Sequence, residues 1–174
     1  MDLVDALKSR IRHVPDFPKP GILFYDVTTL LKEAEGFQLA VNEMAAAHIT
    51  ARIDVVVGIE SRGFIFGAAV ADRLRTGFAP VRKPGKLPST TRRASYSLEY
   101  GTDSLEIHHD AVLAGQRVLI VDDLLATGGT AAATVELVQG LGGEVVALQF
   151  LIELEGLKGR DKLKGQDVSA VLRY

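Results

Sequence analysis

The chain contains no cysteine. That excludes disulfide staples and thiol nucleophiles but leaves the compartment open, since proteins on either side of a membrane can lack it. Net charge is also scarce, −2 at pH 7, so bulk charge gives no long-range pull on nucleic acid or an anionic membrane. Any anion site must therefore come from local basic groups and backbone amides. Long apolar runs are missing: residues 55–57 and 118–121 fall far short of the roughly 20 residues that span a bilayer. The first seven residues carry two acids and no basic stretch ahead of an apolar core, so a secretory signal is not expected and a soluble, cytoplasmic protein is. No repeat, Ser- or Gly-rich linker or composition shift marks a second domain, which predicts one domain over residues 1–174.

Two nucleotide-binding signatures are absent as well. Gly85-Lys86 is followed by Leu87 and lacks the earlier glycine of a P-loop, and Gly140-Leu141-Gly142-Gly143 does not complete G-x-G-x-x-G. Nucleotide hydrolysis and dinucleotide redox chemistry are thereby disfavoured. The four histidines offer no metal site: His108 and His109 are neighbours on a predicted strand and point to opposite faces, while His13 and His48 are expected on helix surfaces.

What is present is an ordinary globular composition, 47% hydrophobic and 24% charged, in a chain long enough to bury about two thirds of its unfolded surface. Leu3, Leu7 and Ile11, with Val4 alongside, recur at helical spacing and stop before Pro15, Pro18 and Pro20. They predict a short amphipathic helix leading into an extended segment. After Gly36, the residues Phe37, Val41, Met44 and His48 share one helical face, and the β-branched run 53–59 reads as a buried strand. A helix over 64–74, a strand over 78–81 and a long polar loop over 83–95 follow, with further strands at 105–108, 118–121 and 145–148 and a helix over 131–141. The β-α-β order implies right-handed crossovers. The predicted fold is α/β: a single doubly wound, mostly parallel sheet flanked by helices, with a small N-terminal hood over about residues 1–35 and a mobile loop over about 83–103. In such sheets ligands sit beyond the carboxyl ends of strands where connections diverge, here just after Ile59 and Val121.

The most informative segment is Val118-Leu119-Ile120-Val121-Asp122-Asp123-Leu124-Leu125-Ala126-Thr127-Gly128-Gly129-Thr130, an apolar strand, two acids and a glycine turn opening a helix. Backbone amides of Ala126, Thr127, Gly128, Gly129 and Thr130, with the two threonine hydroxyls, can surround a phosphate at the positive end of the helix dipole. Asp122 and Asp123 supply acceptors for two vicinal hydroxyls, and a carboxylate there also suits Mg²⁺. Ribose 5-phosphate matches both features. An isolated pair of acids would serve equally well as a solvated turn; the full string argues against that.

This string resembles the phosphoribosyl pyrophosphate (PRPP) motif of type I phosphoribosyltransferases, in the version found in adenine phosphoribosyltransferases. Further resemblances lie at 17–24 (Phe17-Pro18-Lys19-Pro20-Gly21-Ile22-Leu23-Phe24), Glu60-Ser61-Arg62-Gly63-Phe64, Gly85-Lys86-Leu87-Pro88 and Tyr96-Ser97-Leu98-Glu99-Tyr100-Gly101, in the family's order. The resemblance implies conversion of adenine and PRPP to AMP and pyrophosphate, with Mg²⁺ as cofactor and no nucleic acid or membrane partner, in a homodimer. Glu60, Ser61 and Arg62 become a pyrophosphate loop, joined by a basic cluster of Arg82, Lys83 and Lys86. Glu99 becomes the catalytic carboxylate that handles the purine's proton. Leu23, Phe24 and Tyr25 become the adenine-binding hood, where Tyr25 departs from the arginine of many relatives, which bears on base preference. The competing expectations are transfer to another base, such as hypoxanthine, guanine or xanthine, and a regulator that senses PRPP without catalysis.

Overall fold

The chain begins with a short helix, α1 (Leu3–Lys8), whose Leu7 is buried. Ile11 is buried beyond the helix end, ahead of an antiparallel hairpin of β1 (Arg12–Pro15) and β2 (Leu23–Asp26). Helices α2 (Thr28–Leu31) and α3 (Ala34–Ala46) then carry the chain to β3 (Val55–Ile59), which is buried along its whole length. That is the state of a central parallel strand covered on both faces, and it is why its sequence shows no alternation. Helix α4 (Gly63–Leu74) leads to β4 (Gly77–Val81), a second hairpin of β5 (Thr91–Ser97) and β6 (Thr102–His108) follows, and the chain returns through β7 (Arg117–Leu125), α5 (Gly129–Gly140), β8 (Glu144–Glu153) and β9 (Val168–Arg173). This computed structural model describes residues 2–98 and 101–174.

The central sheet has the order β4-β3-β7-β8-β9, every pair parallel. Its core divides by face. Helix α5 and the β5–β6 hairpin cover one side through residues such as Leu137, Val138, Leu105 and Ile107. Helices α1 to α4 cover the other through Leu7, Leu30, Met44 and Phe66. The chain leaves β3 in one direction to β4 and later enters β7 on the opposite side. The carboxyl ends of β3 and β7 therefore flank the point where the winding reverses, the crevice in which sheets of this kind bind ligands.

Several sequence expectations are corrected. Residues 83–95, expected to be loop throughout, hold most of strand β5, which pairs in register with β6 from Thr91 opposite His108 to Ser97 opposite Thr102. Strand β7 does not end before the acids but runs through Asp122 and Asp123 to Leu125. His13 lies on β1 rather than on a helix. His48 is buried beyond the end of α3, its Nε2 at 2.9 Å from Gln149 Oε1, so its polar atom is satisfied within the core. His109 falls just past the end of β6, so it does not share a strand with His108.

Candidate functional site

The turn after β7 builds a cradle. Leu124, Leu125, Ala126, Thr127, Gly128, Gly129 and Thr130 line a cavity of about 180 Å³, closed on another side by Tyr96, Leu98 and Phe150. Gly128 stands at the N-cap of α5 with φ +80°, a left-handed conformation that a side chain resists. Its hydrogen faces the carbonyl of Gly159, so a Cβ would overlap that oxygen; Gly159 in turn packs against the carbonyl of Ala126. The glycines thus press the turn onto the short helical segment Gly159–Lys162, and this fixed turn presents the N-terminal amides of a twelve-residue helix to the cavity. Gly129 also faces Tyr96, whose Cδ2 would lie 3.0 Å from an added Cβ.

The two acids have different surroundings. Asp122 lies against the start of α4: its Oδ1 accepts the Asp123 N–H at 2.8 Å and would sit 2.6 Å from a Cβ at Gly63. Burial, and then the charge of Asp123, push its carboxyl well above the usual carboxylate range. Asp123 faces Arg62, whose Nε is 2.7 Å from Oδ2. No hydrogen bond among the described residues reaches that buried oxygen, so the contact is a charge pair out of line with the N–H, and the oxygen retains capacity for a donor.

Arg62 links this acid to the N-terminal hairpin, since its guanidinium also stands over the Phe24 ring at 5.2 Å. It follows Glu60 and Ser61, joined by a cis peptide at the carboxyl end of β3. Glu60 is itself already bonded: it accepts the Lys83 backbone N–H at 2.8 Å and two bonds from the Arg82 guanidinium at 3.3 Å. Burial works against its ionised form, but these bonds outweigh it and hold its pKa below the ordinary value. Ser61 is exposed in the turn.

The expected basic cluster is only partly free. Lys83 Nζ pairs with Asp103 and donates to Tyr96 Oη at 3.1 Å, which ties it into the hairpin. Arg82 is tied to Glu60, and its Nη1 donates to the Lys86 carbonyl at 3.4 Å. Lys86 itself is exposed. The anchor of this region is Glu106, absent from the expected set. Buried on β6, it accepts bonds from Arg93 at 2.9 and 2.6 Å and from the Gly85 N–H at 3.1 Å. Bonding to Arg93 and then Gly85 keeps its pKa below the usual carboxylate value.

Around Phe24 a second cavity, about 350 Å³, is lined by Val14, Phe17, Phe24, Asp26, Thr28 and Arg62. Of the three expected hood residues only Phe24 lines it. Tyr25 faces the other side of the hairpin and packs on Tyr174, ring centroids 4.2 Å apart, as alternation along a strand requires. Leu23 is exposed. Glu99 lies outside the described residues. The lining residues Val14, Asp26 and Thr28 carry no sequence motif; only their pairing positions on the hairpin and at its end bring them together.

The phosphoribosyl transferase domain model matches residues 28–170. The chain is 59% identical over 170 residues to the adenine phosphoribosyltransferase of Acidobacterium capsulatum, covering 98% of this chain and 94% of that protein. It superposes with TM-score 0.94 and 54% identity on the adenine phosphoribosyltransferase of Thermoanaerobacter pseudethanolicus, covering 98% of this chain and 99% of that one. On the Saccharomyces cerevisiae enzyme, complexed with adenine and an imino-altritol bisphosphate, the TM-score is 0.92 at 42% identity, with 98% of each chain covered. With a family model over most of its length and relatives at this identity across nearly all of it, the chain belongs to the phosphoribosyl transferase family and, within it, to the adenine phosphoribosyltransferases.

Proposed function

We propose that the chain transfers the 5-phosphoribosyl group of PRPP to adenine, giving AMP and pyrophosphate. The observation that carries this is the cradle at the β7–α5 junction, where a glycine-pinned turn and a helix N-terminus face a cavity lined from Leu124 onward, the residue that follows the two acids. Amides of residues 126–130 receive the 5-phosphate, and Asp122 and Asp123 serve the ribose hydroxyls, with Asp123 Oδ2 the oxygen that has a free lone pair. Arg62, Arg82, Lys83 and Lys86 supply positive charge for the departing pyrophosphate. For Lys83 this requires release from Asp103.

The β1–β2 hairpin acts as the hood. Adenine lies against Phe24 in the 350 Å³ cavity, with stacking of about 1–3 kcal/mol. Because Tyr25 points away from that cavity, its departure from arginine leaves the lining unchanged. As the purine N9 bonds to ribose C1′, the bond from C1′ to the pyrophosphate oxygen breaks with inversion, and Glu99 handles the proton lost from the base. Asp122 or Asp123 would hold Mg²⁺ together with PRPP oxygens, and the ion would supply positive charge for the departing pyrophosphate. Among the described residues no group of three or more His, Asp or Glu forms a protein cage, which is compatible with an ion carried by substrate oxygens and held on the protein side by Asp122 or Asp123. A cytoplasmic homodimer is the setting this reading implies.

The test is release of pyrophosphate from PRPP with adenine against hypoxanthine, with and without Mg²⁺, with Glu99→Gln run alongside. Turnover is expected with adenine and Mg²⁺, with a fall of about 10²–10⁴-fold in the variant. Equal use of hypoxanthine would refute the base assignment, and unchanged turnover in the variant would refute the role of Glu99.

A further inference from the structure

The purine hairpin is held from behind by aromatic side chains that the proposed reaction does not use. Tyr25 alternates with Phe24 on β2, so one side chain faces the base cavity and the other faces away. Its ring packs on Tyr174 with centroids 4.2 Å apart. His13, the cross-strand partner of Tyr25, packs edge-on against both rings, at 5.1 and 5.6 Å. Tyr174 is itself fixed to the central sheet: its N–H donates to the Glu153 carbonyl at 3.0 Å and its carbonyl accepts the Glu155 N–H at 2.9 Å. Lys8 Nζ lies 4.7 Å from the centre of the Tyr174 ring and donates to the Arg173 carbonyl at 2.8 Å.

We infer that Tyr174 is a positioning residue for the purine, acting through Tyr25 and His13 to set the pose of Phe24 over the base cavity. On the cavity side Arg62 stands over the Phe24 ring, 5.2 Å from its centre. The hairpin tip is exposed at Phe17, Ile22 and Leu23, and its base is fastened by Asp26 and by the Thr29 hydroxyl on the Arg10 carbonyl. The Tyr174 cluster therefore supports the middle of the strand that carries Phe24. Removing the ring leaves the hairpin free to sample poses in which Phe24 no longer walls the cavity, and apparent affinity falls with the competent fraction. The PRPP cradle, built on β7 and α5, is untouched. The Tyr174 hydroxyl oxygen is buried with no partner among the described residues, so the ring and not the hydroxyl performs this task.

This inference rests on adenine being the acceptor. AMP formation by wild type, Tyr174→Ala, Tyr174→Phe and His13→Ala is measured with adenine and PRPP varied in turn. In Tyr174→Ala the KM for adenine is expected to rise about tenfold while that for PRPP moves less than about twofold, and Tyr174→Phe is expected to match wild type. His13 is exposed, so His13→Ala keeps the fold and decides the matter if Tyr174→Ala does not fold; a rise of about threefold confined to adenine is expected. An unchanged adenine KM, a parallel rise in both constants, or a phenylalanine variant as impaired as the alanine one would overturn the positioning role. A wild type that forms no AMP from adenine would instead overturn the substrate assignment, and this inference with it.

Discussion

Gly128 shows how one residue serves backbone geometry and packing together at the proposed phosphate cradle. A left-handed backbone costs a side chain about 1–2 kcal/mol, and here the added Cβ must also displace the Gly159 carbonyl. Gly128→Ala should therefore do more than lower stability by the conformational cost. It should separate the turn from residues 159–162 and turn the amides of α5 away from the cavity. The expected outcome is a rise of about tenfold or more in the KM for PRPP with a smaller change for adenine. Steady-state kinetics would check this, and equal effects on both substrates would show a general loss of fold. From sequence, Gly128 was recognisable as a residue permitting close approach, but the approaching atoms belong to the chain's own Gly159. No pattern around Gly159 signals this, because the contact spans two turns far apart in sequence.

A buried carboxylate helps to fasten the base of the N-terminal hairpin. Asp26 Oδ1 accepts from the Thr28 hydroxyl at 2.7 Å and the Thr28 N–H at 2.9 Å, and Oδ2 is paired with Arg12. These bonds, Thr28 first and Arg12 after, lower its pKa from 3.8 to about 2. A depressed carboxylate stabilises the fold fully above its unfolded pKa and loses that contribution as pH falls through the folded one. Wild type should thus exceed Asp26→Asn in melting temperature above about pH 4, and the gap should close toward pH 2. A gap that stays constant across this range would contradict the assignment. Glu60, Asp103, Glu106 and Glu153 are also depressed, so the difference between the two proteins isolates Asp26. Among elements, β3 and the start of β7 were legible because their β-branched runs have few other fates. Strand β5 was not: its sequence Thr-Arg-Arg-Ala-Ser-Tyr-Ser buries only Ala94, and its pairing with β6 supplies what its own hydrophobicity does not. His48 was misplaced because helical periodicity continued past the point where α3 ends.

At the scale of the molecule, the parallel sheet and a site just after Ile59 and Val121 followed from β-α-β spacing, whereas the strand order β4-β3-β7-β8-β9 came only from the structure. The site was legible in its main-chain parts, where glycines and strand-end acids constrain the backbone, and poorly legible in its side-chain pairing. Sequence set Arg62 in a pyrophosphate loop by resemblance and joined to it a basic cluster of Arg82, Lys83 and Lys86; folding divides the four among Asp123, Glu60, Asp103 and solvent, partners that neighbours in the chain do not reveal. The proposed reading has the turn at 126–130 bind PRPP, while Arg82 and Lys83 stand paired with Glu60 and Asp103. The most direct measurement is a crystal structure with bound AMP. The predicted result is phosphate oxygens about 2.7–3.2 Å from the backbone nitrogens of residues 126–130, with the purine against Phe24. A phosphate bound elsewhere on the molecule, with that turn facing an empty cavity, would contradict it.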